Sequence, residues 1–173
     1  MERANAVTFL GNPLTLVGNP VSPGDPAPDA TVLKQDLTPV RIHDYKGHTL
    51  LISVVPSLDT SVCSAQTKRF NEEASRLPDS VKVLTISMDL PFAQKRFCST
   101  EGIDRIEVLS DHREGAFGQA YGVLVKELRI LSRAVFVIDP QGIVRYAEYV
   151  PEITQHPNYD AALEAVRAVV GQG

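Results

Sequence analysis

The chain has 173 residues, 43% of them hydrophobic and 22% charged, an ordinary globular balance that excludes a long disordered chain. Seventeen basic and 21 acidic side chains leave a net charge of −4, with no basic footprint for nucleic acid. The longest apolar run, Ala134 to Ile138, is far short of the ~20 residues that span a bilayer. The length predicts one domain over 1–173, and the β-hairpin read in its first 20 residues forms an N-terminal extension over 1–20. The first ten residues lack the apolar core of a secretory signal, so a cytoplasmic protein without membrane contact is expected.

Two β-prone runs, 7–10 and 14–17, flank Gly11, Asn12 and Pro13 and predict a hairpin. Six of the 12 prolines fall in the first 40 residues, and 22–28 reads as an irregular connector because proline lacks an amide donor. Residues 49–55 and 81–87 read as buried strands. Between them a helix is predicted over about 63–77, with Phe70, Ala74 and Leu77 on one face. Pro91 suits the first turn of a helix running to about Thr100. A short helix is predicted over 114–121, ended by Gly122. Residues 134–139 and 143–149 read as strands that pair back around a turn at 140–142. A last helix is predicted over about 158–170, capped by Asn158, with Ala162, Val166 and Val169 as its apolar stripe. Strands alternating with helices, then a hairpin, then a helix, predict an α/β sandwich with a mixed sheet.

Two cysteines are too few for a disulfide scaffold. Cys63, however, follows a buried strand and opens a helix. Unpaired amides and the positive end of the helix dipole there favour thiolate over thiol. Cys63 is followed by Ser64, Ala65 and Gln66, so the Cys-x-x-Cys pair of a disulfide oxidoreductase is missing. No Gly-rich phosphate loop is present. The four histidines, His43, His48, His112 and His156, are scattered without metal-ligand spacing and read as surface residues. Phe92 and Phe97 read as core or as the rim of a site, and Asp59 has no assignable role.

Pro56, Thr60 and Cys63 match the pattern Pro-x-x-x-Thr/Ser-x-x-Cys of the peroxiredoxins. The segments DTSVC at 59–63, DLPFAQKRFC at 89–98 and SRAVFVID at 132–139 resemble the thiol peroxidase branch, as does the N-terminal hairpin, so the resemblance covers essentially the whole chain. It implies a thioredoxin-like α/β sandwich with a mixed central sheet and an N-terminal β-hairpin. It implies that Cys63 attacks the peroxide and becomes a sulfenic acid. Thr60 would hydrogen-bond thiolate and peroxide, Pro56 would shield the site, and Arg133 would stabilise the thiolate and polarise the peroxide. The amides of Val62 and Cys63 would add to this. Cys98, 35 positions on, would resolve the sulfenic acid as an intramolecular disulfide. Both thiol-bearing segments would have to unwind locally for the bond to close. Hydrogen peroxide and, preferentially, organic hydroperoxides would be substrates, thioredoxin the reductant, and the protein a homodimer with no metal or organic cofactor. The same two cysteines would also serve a peroxide-responsive redox sensor.

Overall fold

The computed structural model describes residues 1–172. In chain order the strands are β1 (Glu2–Phe9), β2 (Asn12–Val17), β3 (Thr31–Leu33), β4 (Pro39–Arg41), β5 (Thr49–Val54), β6 (Val81–Ser87), β7 (Glu107–Ser110), β8 (Leu124–Val125), β9 (Ile130–Leu131), β10 (Ala134–Ile138) and β11 (Val144–Tyr149). The helices are α1 (Ser61–Ala74), α2 (Pro91–Glu101), α3 (Ala116–Ala120) and α4 (Tyr159–Gln172). The central sheet has the order β11-β10-β5-β6-β7-β3-β4. The β5-β6-β7 pairings are parallel and the others antiparallel, so the sheet is mixed as expected. A second sheet, β1-β2-β8-β9, carries the N-terminal hairpin.

Side-chain alternation gives the central sheet two apolar faces. Leu51, Val83, Val135 and Val137 pack with Phe70 of α1 and with Ala162, Leu163 and Val166 of α4. Leu50, Ile52, Val54, Leu84, Ile86, Phe136 and Ile138 pack on the other face with Phe117 and Tyr121. The Asn158 side chain accepts the Ala161 amide at 3.0 Å, the cap expected for the last helix.

Three expectations are corrected by local chemistry. The hairpin turn is Leu10 and Gly11, with φ of 51° and 83°, while Asn12 and Pro13 belong to β2. Two left-handed residues match the twist of the flanking strands, so a two-residue turn replaces the three-residue one. The helix expected over 114–121 shortens to α3. Gly115 is left-handed at its N-cap, and the Asp111 carboxylate takes the Phe117 and Gly118 amides at 3.0 and 2.8 Å. The helix expected from 63 starts two residues earlier, which seats Cys63 as the third residue of α1.

Candidate active site

Cys63 is wholly buried in the first turn of α1, where the amides of Ser61, Val62 and Cys63 have no intrahelical partner. Its sulfur lies 3.3 Å from Nη2 of Arg133. Arg133 immediately precedes β10 and is only 2% exposed. Two more bonds fix its guanidinium: Nε donates to the Ile153 carbonyl and Nη1 to Oε1 of Gln66, each at 2.9 Å. Gln66 is in turn anchored by donating to Oγ of Ser53 on β5 at 2.7 Å. The hydrogen-bond partners of this buried cation are therefore a carbonyl, an amide oxygen and a sulfur, none of them a carboxylate. A buried charge without a counter-ion is costly. The Cys63 sulfur is the only partner in that set that can carry a negative charge.

Pro56 is buried at the end of the segment leaving β5, and with Thr60, Ser61, Val62, Arg133, Ile153, Thr154 and Phe9 of β1 it lines a cavity of about 150 Å³. The hairpin thus contributes an aromatic wall to the mouth of the site. Glu152 ties it down. The Glu152 carboxylate accepts from the hydroxyls of Thr8 and Thr154 and from the amides of Leu10, Gly11 and Thr154. The Thr154 hydroxyl leads the contacts that hold this carboxyl far below its ordinary range.

Thr60 is placed at the cavity wall, but its hydroxyl donates to the Ser57 carbonyl at 3.0 Å rather than to the sulfur. It is the N-cap residue of α1 without a side-chain capping bond. The expected thiolate contact is therefore corrected: the Thr60 hydroxyl turns back along its own loop to the Ser57 carbonyl.

Cys98 sits in the last turn of α2, half-buried, and both cysteines are free thiols. Nε2 of Gln35 lies 3.3 Å from its sulfur. Burial pushes the Cys98 thiol up, and the Gln35 contact offsets this in part. Phe97, Cys98 and Ile106 pack against an apolar cluster of Val55, Leu58, Cys63, Ile103 and Val108, so the two thiols share one cluster. A groove of about 450 Å³ between α1 and α2 opens beside them, lined in part by Asp59, Thr60, Arg96 and Phe97. Phe97 is thus the rim residue it was expected to be, whereas Phe92 is 66% exposed, turned outward on α2. His43, His48 and His112 are half-buried, with His43 bonded to the Ala27 carbonyl, which corrects their reading as surface residues, whereas His156 is exposed.

Sequence reading missed Gln66, Ser53, Asp89 and Glu152. Gln66 had a signal, because it lies four residues before Phe70 on the apolar face of α1, where a polar side chain must find a buried partner. Ser53 interrupts the otherwise apolar 50–55 run in the same way. Asp89 opens the family-like segment at 89–98 but carried no role there, and Glu152, in a loop, gave no signal.

The redoxin family profile matches residues 22–163. A thioredoxin-like sandwich with a helix-borne cysteine facing a buried arginine thus defines a redoxin-class thiol protein. The thiol peroxidase of Halalkalibacterium halodurans is 58% identical over 165 residues, covering 95% of this chain and 99% of that one. That of Bacillus subtilis is 58% identical over 164 residues, covering 95% and 98%. A solved structure, a peroxiredoxin-like protein from Aquifex aeolicus, superposes with a TM-score of 0.89 at 45% identity, covering 96% of this chain and 98% of that one. The chain belongs to the redoxin family and, within it, to the thiol peroxidases.

Proposed function

We infer that this chain is a thiol-dependent peroxidase that reduces hydrogen peroxide and organic hydroperoxides through Cys63 and Cys98, and that thioredoxin recycles it. The observation that carries the reading is the Arg133 guanidinium 3.3 Å from the buried Cys63 sulfur, beside a small cavity. The Cys63 thiolate attacks the terminal peroxide oxygen and the O–O bond breaks. The departing alkoxide, or hydroxide from hydrogen peroxide, takes a proton from solvent and leaves as an alcohol or as water, and Cys63 is left as a sulfenic acid. Negative charge grows on the departing oxygen, where Arg133 and the first-turn amides of α1 are preorganised donors. The Thr60 hydroxyl, already donating to Ser57, accepts from the hydroperoxide O–H and orients it. Pro56, Val62, Ile153 and Phe9 keep water from the sulfenic acid and suit an alkyl group. The Cys98 thiol then displaces water from the sulfenic sulfur to form the Cys63–Cys98 disulfide. A dithiol reduces that bond by exchange and is itself oxidised.

No described helix is long and apolar enough to cross a membrane. A cytoplasmic setting, one domain over 1–173 and a homodimer belong to the same reading; exposed Leu90 and Phe92 beside the groove supply apolar surface for a partner. The test is turnover of an alkyl hydroperoxide with thioredoxin, its reductase and NADPH. Sustained NADPH consumption that vanishes in Cys63→Ser supports the enzyme. A single stoichiometric oxidation without turnover would favour the redox sensor.

A further inference from the structure

A polar chain outside the catalytic cluster joins the two cysteine-bearing segments. Asp89 lies between β6 and α2, on the connection that leads to Cys98. Its Oδ1 accepts from the Ser57 hydroxyl at 2.8 Å, and its Oδ2 from the Leu58 amide at 2.8 Å. Ser57 and Leu58 belong to the segment that leads from β5 to Cys63. The Ser87 hydroxyl also donates to Oδ2, at 2.7 Å, and accepts from Nε2 of Gln94 at 3.1 Å. Gln94 is wholly buried on α2, one turn before Cys98. The links therefore run from the Cys98 helix through Gln94, Ser87 and Asp89 to the Cys63 loop. Leu58, whose amide is held, is 4% exposed and packs in the cluster that contains both thiols.

The two sulfurs are engaged apart from each other, Cys63 with Arg133 and Cys98 with Gln35. Closing a disulfide requires Cα atoms within about 7 Å and Cβ vectors that face each other, so Cys63 must turn from Arg133 and Cys98 from Gln35, and the loop before α1 carries Cys63. Asp89 resists that movement with hydrogen bonds to a charged acceptor, which are the strong kind. The same bonds hold α1 where Cys63 meets Arg133 and the peroxide cavity.

We propose that Asp89 is a positioning residue that sets the partition between peroxide attack at Cys63 and disulfide closure with Cys98. It holds the loop in the attacking arrangement, and its release precedes closure. The inference rests on the Cys63–Cys98 reading above.

The experiment mixes reduced protein with tert-butyl hydroperoxide, quenches at intervals with a sulfenic-acid trap and a thiol alkylator, and follows thiol, sulfenic acid and disulfide by intact mass. Asp89→Ala should slow sulfenic acid formation and speed its conversion to disulfide, each by about 5–20-fold, as loss of a charge-assisted clamp implies. Ser57→Ala removes one arm and should shift both rates in the same opposed directions by ~2–5-fold. Leu163→Ala, which opens a cavity under α4 in an apolar cluster separate from that of the thiols, should lower stability and leave the ratio of the two rates unchanged. Two outcomes overturn the proposal: a ratio unchanged in the Asp89 and Ser57 variants, or a ratio that Leu163→Ala shifts equally. Absence of any disulfide in the unaltered protein would overturn the Cys63–Cys98 reading itself, and the inference with it.

Discussion

Arg133 is a cation sealed from water and bonded at all three nitrogens, one bond of which goes to the Cys63 sulfur. Its geometry matters as much as its charge, because the planar fork reaches Ile153, Gln66 and Cys63 at once. A lysine carries the charge on one point and can serve only part of that set. Arg133→Lys should therefore slow oxidation of Cys63 by about 10²–10³-fold, in the range of lost transition-state donors. Gln66→Ala, which frees Nη1 without touching the sulfur, should cost about tenfold. Rapid-quench measurement of the Cys63 oxidation rate checks both, and equal rates for Arg133→Lys and the unaltered protein would deny the fork a role. At this scale Pro56, Thr60 and Cys63 stand out in the sequence by a spaced pattern, and Cys98 and Arg133 only through the resemblance of the segments that carry them. The direction of the Thr60 hydroxyl was not legible, because it depends on a loop carbonyl at Ser57 that no residue type specifies.

Elements were legible where periodicity was strong and blurred where a side chain ended them. The buried strands β5, β6 and β10 read correctly because they are short runs rich in β-branched and other apolar residues. β3, β4, β8 and β9 were invisible, since strands of two or three residues carry no period. The short α3 was overdrawn because nothing in its sequence shows that Asp111, five residues before it, supplies its first-turn acceptors. Asp111 also gives α3 a pH dependence. Burial is the largest influence on this carboxyl and raises it from an ordinary value of 3.8 to about 6, against the pull of the Gly118 and Phe117 amides. The folded state therefore binds the proton more tightly than the unfolded chain does. The resulting stability is fully present below about pH 4 and is lost as pH rises through about 6. Asp111→Asn lacks this titration. Urea unfolding of both proteins should show the stability of the unaltered protein, relative to Asp111→Asn, falling by about 1–2 kcal/mol between pH 4 and pH 7. A constant difference would assign Asp111 an ordinary carboxyl.

At the scale of the molecule, the sandwich brings together groups that are 70 residues apart in the chain. Parallel pairing of β5 with β6 sets the starts of α1 and α2 at the same sheet edge, so both cysteine segments leave neighbouring strands. Antiparallel pairing of β10 with β5 matches Ala134 to Val54 and so delivers Arg133 beside the loop that precedes Cys63. The N-terminal hairpin then closes the cavity with Phe9, held by Glu152 from the loop after β11. Alternation of strands and helices made the layers legible. The second sheet, with β8 and β9 extending the hairpin, was not, because its pairing joins segments more than 100 residues apart. The central claim is a cycle of two thiols within one chain. Its most direct measurement is the intact mass of reduced protein after one equivalent of an alkyl hydroperoxide, with Cys63→Ser and Cys98→Ser alongside. Loss of two hydrogens from a chain that runs as a monomer on a non-reducing gel, absent from both variants, is the predicted result. An unchanged mass, or a disulfide-linked dimer, would contradict it.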